Sequence, residues 1–578
     1  MGGRTANSQR RRWHENGRLA EEVAGFEARG LAFALDPVLL ARGVVVFDGE
    51  LRLDDKRVAV KVVYPPAYAQ GEPVAVVAPD LPIGRHKAPN GVLCLEHPVF
   101  GDVSDMTGAD AVERAERLWY LWVNDRDQLR VEEADAPDPR ANYYLHEPGS
   151  AVVLVDADVS GVESGWLRVG LTSLVPFRAG LVALAAREPK ARDLAVASAN
   201  RPFAGEWEIC GFWRRVEPAD AYSAADVFAY AVAEHSNFLE HARNFAAADS
   251  GVAKRPVPAL VGFVYRDEGP GRNQWHDAWL FLLVRPDGAV ELPHPFLPRS
   301  DERWLRQPQL EPLGGKRVGL VGAGALGSPL AGLLAQAGVG AMVIVDYDIV
   351  TVGNRVRHEL DLSNLGELKV AALARRLVAI NPWLEVDVRA ARFGGAFTSG
   401  FVGDAQRLDD ELADLLGGCD LVINASAHTA TAYHLAALGR DYGVPVVHTW
   451  VSAGAWGARV LLERPGLSGC PECLAWTQKE PERAAAGATV PDWSADPAVV
   501  SVVERGCADP TFTGPGFELE ATAAAACRLA VQALLDGDGY PAAAYDLATL
   551  RFRSADGSEP ETVYTRLPPH PDCSICNG

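Results

Sequence analysis

Nine cysteines stand at positions 94, 210, 419, 470, 473, 507, 527, 573 and 576, and four of them form two CxxC pairs, Cys470-Pro-Glu-Cys473 and Cys573-Ser-Ile-Cys576. Two such pairs, about a hundred residues apart, supply the four thiolates of a closed tetrahedral zinc site. With every coordination position filled by protein, that zinc is structural, and it would staple the C-terminus back onto the preceding domain. Two other thiols lie where solvent can reach them. Cys507 sits in VVERGCADPTFTGPGFELE, a glycine- and proline-rich loop ahead of an alanine-rich helix. Cys94 sits in RHKAPNGVLCLEHP, where proline, asparagine and glycine place it beside a turn. Cys210, Cys419 and Cys527 read as buried small apolar side chains, the usual fate of a free cysteine.

A third constellation suits phosphate. The strand-like RVGLVG runs into Gly322-Ala323-Gly324-Ala325-Leu326-Gly327, and a helix opens after it. Such glycines permit a tight turn and close phosphate approach, with the helix N-terminus facing the anion. Asp346 ends the next strand, 22 residues after Gly324, placed to accept from ribose hydroxyls. This fingerprint alone serves a dinucleotide oxidoreductase equally well. Within about two dozen residues of Asp346, however, come Asn354, Arg357 and Lys369. An amide, a guanidinium and an ammonium beside the phosphates suit an enzyme that neutralises a triphosphate and stabilises an adenylating transition state.

The elements that must position these groups fall into three textures. Residues 1–141 read as helix, strand meander, loop and helix, an α+β domain. Residues 13–46 are expected to hold a helix (ENGRLAEEVAGFEARG) and then an apolar run ending VVVF, and residues 108–124 a helix with Trp119 and Trp122. Residues 142–300 hold strand-like runs (SAVVLVDADV, PALVGFVYRD, DAWLFLLVRP) and one alanine-rich helix around 224–247, a connecting α/β or α+β domain without a chemical motif. Residues 301–578 alternate strand, glycine turn, helix and strand, with CDLVINAS and VPVVHTW as further buried strands, the rhythm of a doubly wound parallel sheet. The chain of 578 residues carries a formal charge of −21, which excludes a general nucleic-acid binder but not a nucleotide site built from backbone dipoles. No apolar run reaches the roughly 18 residues of a membrane span, and the basic start MGGRTANSQRRRWHENGR leads into an amphipathic stretch. With sparse cysteines, this predicts a cytoplasmic protein that engages no membrane.

Segment 316–382 resembles the adenylation domain of ubiquitin-activating enzymes and of the bacterial relatives that adenylate sulfur-carrier proteins. The resemblance implies a Rossmann-like fold, ATP and magnesium, with Asp346 on ribose and Asn354, Arg357 and Lys369 on phosphates. Gly322, Gly324 and Gly327 would form the phosphate loop, and Arg303 or Arg306 a further arginine. It implies Cys507 as the thioester-forming cysteine, a structural zinc on Cys470, Cys473, Cys573 and Cys576, and a homodimer through this domain. The family usually carries an acidic magnesium ligand where this sequence has Ala427, between Ser426 and His428. Asp348, or the phosphates themselves, would then hold the metal.

Residues 13–135 resemble a ubiquitin-conjugating enzyme domain, the best local match being PNGVLCL, Pro89 through Leu95. That makes Cys94 a second thioester carrier. His86, eight residues upstream where the family has an asparagine, would stabilise an oxyanion or assist proton removal from an amine. Over nearly its full length the chain resembles the bacterial fusions of CBASS antiphage operons. By that resemblance ATP activates the C-terminus of a partner protein (a cyclic-oligonucleotide synthase or a ubiquitin-like protein), Cys507 and then Cys94 carry it, and a target amine receives it. A sulfur-carrier adenylyltransferase leaves the N-terminal domain idle, an oxidoreductase explains only the glycines, and a non-catalytic scaffold has Ala427 as its argument.

Overall fold

The structure is a computed structural model. It describes residues 17–53, 56–65, 74–81, 86–95, 106–125, 139–154, 159–185, 193–196, 207–217, 221–248, 258–269, 275–296, 304, 306–393, 402–485, 488–493, 495–496, 498 and 513–577. The chain divides into two compact units, one of Met1–Ala199 and Phe203–Pro298, the other of Asn200–Pro202 and Arg299–Gly578.

The first unit holds two separate sheets. The N-terminal one is a four-stranded antiparallel meander of Ala34–Leu35, Val45–Leu53, Lys56–Tyr64 and Ala75–Val77. The helix expected within ENGRLAEEVAGFEARG runs over Arg18–Ala28. Pro37 then starts a five-residue helix, capped by Asp36, whose carboxylate accepts from the Val38 and Leu39 amides at 2.8 and 2.9 Å. The VVVF run becomes strand because its β-branched residues pack well on a pleated surface. Helix Gly108–Asn124 opens on a Thr107–Asp110 capping box and buries Ala111, Val112, Ala115 and Leu118, a stripe at helical spacing. Glu22 joins the two helices. Its buried carboxylate accepts from Tyr64 Oη at 2.7 Å and from the Gly108 amide at 2.9 Å. Only glycine fits at 108, since a Cβ there would lie 1.9 Å from Tyr64 Oη.

The second sheet has nine strands and carries the helix Ala224–Ala248, which breaks helical geometry at His235. Along Ala259–Glu268, Leu260 and Val264 enter one core with Trp213 and Phe281, while Val261, Phe263 and Tyr265 enter another on the opposite face. The strands Ser164–Leu174, Phe177–Ala185 and Trp207–Arg215 of this sheet escape the sequence reading. In Ser164–Leu174 and Trp207–Arg215 the apolar residues are interrupted by polar residues and glycine, and in Phe177–Ala185 the apolar run Leu181–Ala185 is as compatible with helix as with strand.

The second unit is a doubly wound sheet. Glu385–Arg389, Ala341–Val345, Arg317–Val321, Leu421–Asn424 and Val446–Val451 lie side by side, all parallel. Three antiparallel strands, Gly457–Glu463, Leu547–Arg551 and Glu561–Thr565, extend it beyond the expected parallel part. Helices Gly327–Ala337 and Gly516–Leu534 pack into its largest core with Leu320, Leu330, Leu334, Ile423 and Leu529, each 0% exposed. Burying a side chain of that size contributes about 1.5–3 kcal/mol. Cys419 is buried at the sheet and Cys210 within the first unit, whereas Cys527 is only partly buried. Among the described residues no helix is long and apolar enough to cross a membrane.

Candidate functional site

Open parallel sheets bind ligands beyond the C-terminal ends of their strands, and here that edge holds a cavity of about 370 Å³. The strand Arg317–Val321 delivers the glycine loop to its floor. Gly322 sits at φ +97°, and a Cβ on it would lie 2.7 Å from the Ala425 carbonyl carbon. A Cβ on Gly327 would lie 1.8 Å from the Gly322 carbonyl oxygen. The protein itself therefore demands glycine at both places. Gly324 differs, because nothing lies within 4 Å of its notional Cβ, and it faces the cavity. Helix Gly327–Ala337 starts without a side-chain cap or an acidic residue in its first turn; the Ser328 amide donates to the Gly324 carbonyl at 2.9 Å and Pro329 has no N–H, so the helix contributes its dipole more than free amides.

Asp346 ties the loop down: its Oδ2 accepts from the Ala323 amide at 2.6 Å and its Oδ1 from the Asp348 amide at 2.8 Å. Lys369, at the start of the helix Lys369–Ile380, is 6% exposed and pairs with Asp348 Oδ2 at 2.7 Å. Asn354 and Arg357 come from the short 3-10 helix Val352–Arg357, where Asn354 Oδ1 accepts from the Thr351 amide at 2.9 Å. Gly322, Gly324, Asp346, Asn354, Arg357 and Lys369 all line the one cavity, while Gly327 stands behind it in the helix.

Sequence reasoning missed His358. Its Nε2 donates to the Ala323 carbonyl at 2.6 Å, and its Nδ1 accepts from the Leu360 amide at 3.2 Å, so the ring is the neutral Nε2–H tautomer. Burial, aided by the charge of Lys369, pulls its pKa down to about 4. His358 thus braces the phosphate loop from beneath.

Ser426, Ala427, His428 and Thr431 form the wall opposite Asp346, with Trp450 and Trp493 beyond them. Ala427 holds φ +56°. Arg392 donates to His428 Nε2 at 3.4 Å and lies over the Tyr347 ring at 5.7 Å, which brings a cation to this wall where an acidic residue was expected. Trp493 is held by Arg459, whose guanidinium lies 4.6 Å from the ring centroid and donates to the Pro491 carbonyl at 2.7 Å. Burial pulls the Arg459 pKa down to about 10. The carboxylates lining the cavity are Asp346 and Asp348, and Asp346 already accepts a backbone amide on each oxygen. A magnesium ion would find its freest carboxylate oxygen on Asp348, the one not paired with Lys369.

The four CxxC thiols converge. Their Sγ atoms all lie within 4.8 Å of one another, with Cys470–Cys573 at 3.4 Å, Cys473–Cys576 at 3.2 Å and Cys470–Cys473 at 3.9 Å. Zinc with four sulfurs at about 2.3 Å requires sulfur–sulfur separations near 3.8 Å, so the set fits that metal. Around it, the His570 amide donates to Cys473 Sγ at 3.2 Å and Arg440 to Cys576 Sγ at 2.6 Å.

In the first unit Cys94 is exposed, and its amide donates to the His86 carbonyl at 2.8 Å. His86 is 8% exposed and stands at φ +56°. The loop therefore sets residues 86 and 94 directly opposite one another. Cys507 and Arg303 lie outside the described residues, and Arg306 is exposed.

Residues 302–551 match the model of the ThiF family. Over 597 residues the chain is 28% identical to Uncharacterized protein y4oA of Sinorhizobium fredii strain NGR234, covering 96% of each. It is 28% identical over 188 residues to the ATP-dependent ubiquitin transferase-like protein Cap2 of Pseudomonas aeruginosa, 30% of each chain. It is 29% identical over 168 residues to the sulfur carrier protein ThiS adenylyltransferase of Escherichia coli K12, covering 29% of this chain and 61% of that one.

Proposed function

We propose that the ThiF-family adenylation domain at residues 302–551 activates the C-terminal carboxylate of a partner protein with ATP, and that the chain then carries the acyl group on its own thiols to a target amine. The observation that carries the first half is the convergence of the glycine loop (Gly322, Gly324 to Leu326), Asp346, Asn354, Arg357 and Lys369 on one cavity. The loop amides and helix N-terminus would cradle phosphates, Asp346 the ribose, and Arg357 and Lys369 the charge that grows at the α-phosphate. A carboxylate oxygen attacks that phosphorus and pyrophosphate leaves. Magnesium, held through Asp348 and the phosphates, would add charge neutralisation.

In the second half the Cys507 thiolate attacks the acyl carbon and AMP leaves. The Cys94 thiolate then displaces Cys507, and an amine displaces Cys94 to form an amide. What supports this half is the exposed Cys94 beside His86 on a helix–meander–loop–helix unit, together with similarity to a transferase-like protein. His86 would act on the oxyanion or the attacking amine. The setting in this reading is the cytoplasm and antiphage defence of the CBASS kind, with a cyclic-oligonucleotide synthase or a ubiquitin-like protein as the activated partner.

The adenylation domain would pair with a second copy. Exposed Ile349, Val352, Val356, Leu362, Leu365 and Leu368 on the segment after Asp346 support that. Similarity to the ThiS adenylyltransferase favours a second reading, in which the chain adenylates a sulfur carrier and forms no lasting thioester.

The test is pyrophosphate exchange, followed by intact mass and non-reducing gels after incubation with ATP, magnesium and the protein encoded next to this chain. A thiol-sensitive adduct that is absent in Cys507→Ala and remains on Cys507 in Cys94→Ala establishes the relay. Exchange without any adduct moves the sulfur-carrier reading ahead.

A further inference from the structure

The cavity and the four-cysteine cluster lie at opposite ends of one helix, Thr429–Tyr442. Thr431 near its start lines the cavity, Ala436 packs among Cys470, Cys473 and Cys573, and Arg440 near its end touches Cys576. A helix of this length spans about 16 Å between residues 429 and 440.

A second path, wholly polar, joins the same two places. Asn424 Oδ1 accepts from Ser426 Oγ at 2.7 Å and from the Ser426 amide at 3.2 Å, and Ser426 lines the cavity. Asn424 Nδ2 donates to His448 Nδ1 at 3.4 Å. Because that nitrogen accepts, the ring proton sits on Nε2, which donates to Glu463 Oε2 at 3.2 Å. Glu463 Oε1 forms an ion pair with Arg440 Nε at 3.6 Å, and neither atom has a hydrogen-bond partner among the described residues. Arg440 Nη2 then donates to Cys576 Sγ at 2.6 Å. Asn424, His448 and Glu463 are 1%, 0% and 0% exposed. A carboxylate so deeply buried persists only when its partners hold still.

The two paths close a ring. The chain leaves Asn424 through the Ser426–His428 turn, runs down the helix to Arg440, and returns across three adjacent strands through Glu463 and His448. Sheet register makes the return possible, since Asn424 lies opposite His448. A helix fixed only at its N-terminus can tilt, whereas one fixed at both ends cannot.

We propose that Asn424, His448, Glu463 and Arg440 are positioning residues that couple the metal cluster to the nucleotide cavity. Filling the four-cysteine site fixes Arg440 and, through Glu463 and His448, holds the Ser426–His428 wall in its ATP-binding geometry. The inference rests on reading the cavity as an ATP site.

The experiment measures the ATP dissociation constant by titration calorimetry, and zinc content, on full-length wild type, Arg440→Met, His448→Phe and their double variant. Each single variant should raise the constant about tenfold, and the double no further, because both cut one path. His448→Gln, whose amide both accepts and donates, should restore affinity. Chelating zinc should weaken wild type but not His448→Phe. If Arg440→Met fails to fold, His448→Phe with and without chelator carries the test. Single variants that bind like wild type, or effects that multiply in the double, overturn the coupling. Wild type that binds no ATP overturns the nucleotide reading instead.

Discussion

Replacing His358 by glutamine should abolish an acid sensitivity in the nucleotide-binding unit. The imidazole is inserted between the Ala323 carbonyl and the Leu360 amide, one nitrogen donating and the other accepting. Protonation would place a second proton against the Leu360 N–H and a charge beside Lys369, so burial depresses the folded pKa from 6.5 to about 4. A depressed pKa means that the unfolded chain binds the proton first. The stabilisation is therefore fully present above pH 6.5 and is lost as pH falls through the window from 6.5 to 4. At pH 5, linkage with these two values gives a loss of about 2 kcal/mol relative to pH 8.

Glutamine can still donate to the Ala323 carbonyl but does not titrate. Differential scanning calorimetry isolates the relevant transition as the one that ATP raises. Between pH 8 and 5, wild type should lose about 2 kcal/mol more than His358→Gln in that transition. Equal losses in the two proteins would refute the assignment of a half-buried neutral imidazole under the glycine loop.

Two glycines of one loop should behave differently. Gly322→Ala forces a Cβ at positive φ to within 2.7 Å of the Ala425 backbone and should lower the melting temperature of this unit. Gly324→Ala meets no protein atom within 4 Å, so it should leave melting unchanged and weaken ATP binding in calorimetry. Lys369→Met removes the partner of the half-buried Asp348 and should cost about 10²–10³ in pyrophosphate exchange, with a much smaller change in folding stability. Elemental analysis should find one zinc per chain, and Cys573→Ser should reduce that content and destabilise the C-terminal segment toward proteolysis.

Local chemistry was legible before any fold was known. The glycine loop, Asp346, Asn354, Arg357 and Lys369 occupy fewer than fifty consecutive residues, and the demands of phosphate on backbone and charge are written in their spacing. The CxxC pairs are legible as a candidate metal site because a zinc knuckle needs two thiolates on one turn, whatever surrounds it. Ala427 was equally readable as a missing carboxylate. That Arg392 comes to this wall instead depends on the strand Glu385–Arg389 ending beside it, and no local pattern marks that.

His358 looks in the sequence like one more polar residue in a loop, and only packing makes it a half-buried neutral brace. The same holds for Asn424, His448, Glu463 and Arg440. Asn424 and His448 lie in segments that read as buried strands, but nothing in the sequence links them to Glu463 or Arg440; the register of three neighbouring strands brings these side chains together. Motifs survive in a linear reading because the chemistry is held by neighbours in the chain. The relay between pocket and cluster does not, because its members are neighbours only across hydrogen-bonded strands, and pairing of strands is decided by the fold as a whole.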